Sequence, residues 1–165
     1  MNNGDINYEK IEDVALDVIE QYGIQKPVVN AFDIAKKSGI QVLEVDMSES
    51  YPDVAGFYNE KEKTIYVAKD DVPQRKLFTV AHELGHVFLR HPNYSVLYRL
   101  PKEDGEHSLE ERAANAFAAK LLMPDYMLRD YLEKYNLSRG AYREMAKIFG
   151  VPMTAMKYTL QYLKG

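Results

Sequence analysis

The chain contains no cysteine, so neither disulfides nor thiolate metal sites can form, and any metal must be held by His, Asp or Glu. No apolar run approaches the ~18 residues of a membrane span. The segment Met1–Lys10 has neither the basic start nor the apolar stretch of a secretory signal. From these absences the expectation is a cytoplasmic protein with no membrane partner. Internal repeats and low-complexity tracts are missing too, which leaves one domain, or one with a small appendage, in 165 residues. What is present is ordinary for a globular protein: 46% hydrophobic and 28% charged residues. The net charge of −4 is uneven. From Asp125 onward seven Lys/Arg face four Asp/Glu, giving +3, so residues 1–124 carry −7. The expected division is a core over 1–124 and a helical segment over 125–165.

Periodicity places the elements. Ile11, Val14, Ala15, Val18, Ile19 and Tyr22 recur at helical spacing, predicting a helix over 8–22 that ends near Gly23. Asn30 reads as the N-cap of a short helix from Ala31 to Ser38, stopped by Gly39. Ile40–Val45 alternates like a strand, and Val54–Tyr58 and Thr64–Ala68 flank a charged turn as a hairpin. A helix follows from about Gln74 to Arg90, closed by Pro92, then a loop over 92–107. Ser108 opens a helix that ends before Pro124, and three more fit near 126–135, 139–149 and 154–163. Helices, clustered strands, then helices predict an α+β fold.

The chemistry centres on His82-Glu83-Leu84-Gly85-His86. Residues four apart share a helix face, so both imidazoles can reach one metal ion. Glu83, about 100° further round, lies beside that metal rather than on it. Two imidazoles, a nearby carboxylate and an open position for water are the parts of a zinc hydrolase, with Zn2+ the expected cofactor. Positions 78–89 carry no other charge, so the helix is expected to be buried, and burying these three groups is costly unless they are paired or bound to metal. Mid-helix Gly85 needs a reason such as close approach of another backbone.

A third ligand is required. The pattern in which a third histidine follows on the same stretch needs glycine at 89 and histidine at 92, whereas the chain has Leu89 and Pro92. His91 is one position off and reads as a surface residue or a neighbour of the site. On the next helix Glu111 and Asn115 are four apart and flank Ala113 and Ala114, so both can face the first helix at close range. Glu111 could complete a His₂Glu set and Asn115 could bond the far nitrogen of a ligand histidine. Two alternatives stand beside this: Ser108-Leu-Glu-Glu111 also fits a capping box, and Glu110 is a competing carboxylate. Tyr58, Tyr94, Tyr98, His91 and His107 are available as donors to a substrate oxyanion. An extended substrate could add a strand to a sheet edge near 54–68.

Together, His82-Glu-Leu-Gly-His86 and Glu111-Arg-Ala-Ala-Asn115-Ala-Phe117-Ala-Ala-Lys-Leu121-Leu-Met-Pro124 resemble the ImmA/IrrE family of small bacterial metallopeptidases. Gly56-Phe-Tyr58, Ile65-Tyr-Val67 and Arg75-Lys-Leu-Phe78-Thr-Val-Ala81 are also similar, so the resemblance covers roughly 30–160. It implies a zincin-like fold with a small mixed or antiparallel sheet packed on the helix bearing the two histidines. It also implies Glu111 as third zinc ligand and Glu83 as general base. Two positions depart from the family: Ala113 stands where a second glutamate is frequent, and Arg90 precedes His91 where a histidine commonly follows the leucine directly.

Met145–Met156 has the layout of a helix-turn-helix, with Ala146 four residues before Gly150 and Met156 as apolar anchor. Its second helix offers few base-reading groups and the sequence pI is near 5.6, so nucleic acid is not an expected partner. The family resemblance implies a zinc endopeptidase of narrow specificity whose substrate is a regulatory protein, such as a repressor encoded nearby. The alternative is a non-proteolytic antirepressor or toxin–antitoxin partner with structural zinc.

Overall fold

The structure, a computed structural model, describes residues 5–49, 51–91 and 108–165, and residues 98–99 as backbone. In chain order the elements are α1 (Tyr8–Gln21), α2 (Ala31–Lys37), β1 (Gln41–Val45), β2 (Val54–Asn59), β3 (Thr64–Ala68), α3 (Pro73–Phe88), β4 (Tyr98–Arg99), α4 (Leu109–Leu122), α5 (Asp125–Lys134), α6 (Tyr142–Phe149) and α7 (Met153–Gln161). The fold is α+β, with a small mixed sheet and a helix-turn-helix-like C-terminal segment. Among the described residues no helix is long and apolar enough to cross a membrane.

Local chemistry accounts for the boundaries. Asn7 and Asn30 cap α1 and α2 by accepting from the Lys10 and Asp33 amides. The end of α3 differs from the sequence expectation. The helix stops at Phe88, two residues before the expected Arg90, because Arg90 adopts a left-handed φ of 58°. The Arg90 amide then donates to the Val87 carbonyl and the His91 amide to the His86 carbonyl, the paired bonds of a Schellman motif.

The sheet order is β1-β3-β2-β4. β2 and β3 form the expected antiparallel hairpin, with Gly56 opposite Val67 and Asn59 opposite Thr64. β1 runs parallel to β3, pairing Gln41 with Thr64 and Val45 with Ala68. β3 therefore lies inside the sheet, and β4 covers β2 at Val54 and Gly56. Of the edge expected near 54–68, β3 is thus interior and β2 is covered at Val54 and Gly56, with β1 and β4 as the edge strands. The two-residue β4 also falls inside the stretch read as loop.

The sheet rests on α3 at Gly56, where an added Cβ would lie 2.6 Å from both Thr79 Cγ2 and the Tyr66 carbonyl oxygen. On its other side α3 packs against α4, and α4 against α1. Lys120 of α4 ties these layers by bonding Glu12 of α1 at 3.0 Å and Asp125 of α5 at 3.1 Å. One apolar core unites the molecule, from Ala15 and Ile34 through Leu84 and Phe117 to Met127, Met145, Phe149, Met156 and Leu160. Gly150 (φ 69°) forms the turn between α6 and α7 and sits against Val28, whose Cγ1 would lie 3.0 Å from an added Cβ.

Candidate metal centre

α3 is buried along the turn carrying the motif: His82, Glu83, Leu84, Gly85 and His86 are all inaccessible. Gly85 makes this possible. An added Cβ there would meet Ala114 Cα and O at 3.0 Å and Phe117 Cδ1 at 3.2 Å. A side chain would hold α4 away from α3, and with it the carboxylate of Glu111.

At the start of α4, Ser108 Oγ accepts the Glu111 amide at 3.1 Å. The Glu111 carboxylate does not close the reciprocal half of a capping box. It turns to α3, with Oε2 3.2 Å from His82 Nε2 and Oε1 3.0 Å from His86 Nε2. Only the Ser108 half of the capping box is made among the described residues: the Glu111 amide serves the cap and its carboxylate faces α3 instead. Glu110 is exposed.

The two imidazoles stand edge to face, with centroids 4.9 Å apart and Nε2 atoms 3.2 Å apart. Their far nitrogens are held separately. His82 Nδ1 lies 2.8 Å from Asn115 Oδ1, and His86 Nδ1 lies 2.8 Å from His91 Nδ1. In the tautomer that donates Nδ1–H to the Asn115 oxygen, His82 Nε2 faces the cluster as an acceptor. Burial pushes the His86 imidazole below its ordinary pKa, against the opposing pull of Glu111, and so favours its neutral form.

Glu83 is 1% exposed, and its Oε1 has no hydrogen-bond partner among the described residues. Burial first, and the charge of Glu111 second, hold its carboxyl well above the usual carboxylate range. Two buried carboxylates and two inward imidazole nitrogens form a donor set short of positive charge. One ligand atom each from His82, His86 and Glu111 fall within 4.8 Å of one another. A divalent cation bound by N,N,O donors fits this arrangement, because it neutralises both carboxylates and accepts the lone pairs.

Tyr58 is half-buried on β2 against the core. Burial and the Glu60 charge raise its pKa, so the phenol keeps its proton as a potential donor. Tyr94, His107 and the Tyr98 side chain lie outside the described residues. His91 is in direct contact with His86, a contact that helical spacing does not predict, because it depends on the left-handed turn at Arg90.

A family model described as Peptidase_M78, IrrE N-terminal-like domain, matches residues 35–161. The radiation response metalloprotease IrrE of Deinococcus deserti is 30% identical over 107 residues, which are 64% of this chain and 38% of that protein. Its Deinococcus radiodurans counterpart is 28% identical over 107 residues, 64% of this chain and 33% of the relative. An uncharacterized immunity region protein 2 of Bacillus phage phi105 is 27% identical over 104 residues, covering 62% of this chain and 63% of its own length. The chain therefore spans between a third and two thirds of these relatives. Among solved structures, a Mycobacterium tuberculosis transcriptional regulator superposes with a TM-score of 0.61 at 16% identity, over 90% of this chain and 45% of that one. This likeness shows a shared fold.

Proposed function

Because the chain belongs to the Peptidase_M78, IrrE N-terminal-like family, we propose that it is a zinc-dependent endopeptidase acting on a regulatory protein such as a transcriptional repressor. In this reading His82, His86 and Glu111 hold the metal and Glu83 is the general base. Residues 1–124 would carry the peptidase and 125–165 would pack on it. The observation that carries the proposal is the convergence of His82 Nε2, His86 Nε2 and the Glu111 carboxylate within hydrogen-bond distance of one another, in a buried pocket of charge that suits a dication.

When bound there, zinc polarises a water and a substrate carbonyl. The chain's own groups supply the rest. Asn115 orients the His82 ring, while burial keeps His86 neutral. Glu83 is shielded from bulk water and accepts the proton of the attacking water at a carboxylate oxygen, then passes it to the leaving amine. A purely structural zinc site has no use for a buried carboxylate with an unpartnered oxygen, which counts against the non-proteolytic alternative. Two relatives, a radiation response metalloprotease and a phage immunity region protein, support a regulatory protein as the substrate class.

The test is co-expression with the repressor encoded beside the gene, comparing wild type with Glu83→Gln. The expected result is a cleaved repressor with the wild type only. Both proteins should bind one equivalent of zinc, and the variant should be slower by roughly 10²–10⁴-fold. A Glu83→Gln protein that still cleaves overturns the assignment.

A further inference from the structure

We propose that His91 is a positioning residue for the metal: on metal binding its Nδ1 accepts the Nδ1–H of His86, so that the His86 Nε2 lone pair is presented to the ion. The proposal rests on the metallopeptidase reading above and adds to it a residue outside both motifs.

The two Nδ1 atoms are 2.8 Å apart, so a single proton lies between them. Only two placements are possible for neutral rings. If the proton sits on His91 Nδ1, then His86 Nδ1 is the acceptor and the His86 hydrogen must be on Nε2. That hydrogen would point into the cluster, where His82 Nε2 and Glu111 Oε1 lie 3.2 and 3.0 Å away, and would block coordination. If the proton sits on His86 Nδ1, then Nε2 is a free lone pair and His91 carries its own hydrogen on Nε2. Only the second placement can bind a cation. Metal binding therefore requires an acceptor at the position of His91 Nδ1, or else leaves the His86 Nδ1–H to find another.

Backbone geometry fixes His91 in that role. The left-handed turn at Arg90 lets the His91 amide bond the His86 carbonyl at 3.0 Å, so both the main chain and the ring of His91 are tied to the same residue. The rings approach with centroids 5.0 Å apart and planes tilted by 58°, which suits an in-plane nitrogen-to-nitrogen bond better than a stack. For His82 the same task falls to Asn115 Oδ1 on α4. Each imidazole of the pair thus has one acceptor behind it, supplied from a different element.

Zinc affinity, measured by competition with a chromophoric chelator, tests this in His91→Phe, His91→Ala, His91→Asn and His86→Ala, with the melting temperature of each metal-free protein recorded alongside. Phe and Ala remove the acceptor, and zinc should bind roughly 10- to 100-fold more weakly. Asn places an amide oxygen near the position of Nδ1 and should restore affinity to near wild type, which a loss through packing alone would not do. Metal-free melting temperatures should not follow this order. The proposal is overturned if His91→Phe and His91→Ala bind zinc as the wild type does while His86→Ala does not. If His86→Ala also binds zinc normally, the metallopeptidase site itself is wrong, and the role of His91 falls with it.

Discussion

Glu111 shows how much one residue can carry. Its amide is capped by Ser108, while its carboxylate reaches both histidines. In the proposed reading the first turn of α4 is therefore both a helix start and the mount of a metal ligand. Ser108→Ala should cost about 1 kcal/mol of unfolding free energy, read as a shifted midpoint in urea. Spacing alone could find His82, Glu83 and His86, because i to i+4 on a buried helix leaves little freedom. It could find Glu111 and Asn115 only as candidates, since a cap and a ligand carboxylate have the same sequence signature. His91 could be read only as a surface residue or a neighbour of the site, and its bond to His86 was not legible. Helical extrapolation past Phe88 puts that side chain elsewhere, and nothing in an arginine at position 90 signals a left-handed backbone.

Among elements, the sequence revealed type better than partner. The polar turn between Val54–Tyr58 and Thr64–Ala68 forecast the hairpin, and the Asn30 cap formed where expected, while the Asn7 cap of α1 emerged only in the structure. The parallel pairing of β1 with β3 could not be read, because alternation of side chains fixes a face and not a neighbour. Gly56 shows what sets the sheet against α3. An alanine methyl there would stand 2.6 Å from Thr79 Cγ2 and from a carbonyl oxygen of the neighbouring strand, so backbone must move. Gly56→Ala should destabilise by about 1–3 kcal/mol, measured by chemical denaturation. Because the sheet would press on the helix that carries both histidines, the same variant should bind zinc less tightly.

For the whole molecule, the metal is expected to be part of the fold's stability. Glu83 and Glu111 are buried close together, and the charge of Glu111 adds to burial in raising the Glu83 carboxyl, so a bound dication would relieve both. A ligand present at 1,000 times its dissociation constant stabilises by about 4 kcal/mol. In a chain of this size each kcal/mol moves the midpoint by roughly 2–4 °C. Stripping zinc with a chelator should thus lower the melting temperature by about 10 °C in calorimetry, and His86→Ala should show little such response. The composition could announce a metal held without thiolates, but not how it would join the layers. His82 and His86 belong to α3, Glu111 belongs to α4, and the two helices meet where residue 85 has no side chain. In the proposed reading Gly85 would consequently act as a caliper, setting the bite of the ligand set and through it the range of ionic radii the centre can grip. Selectivity among metals would then be written partly in the gap between two backbones, at a residue that never touches the ion.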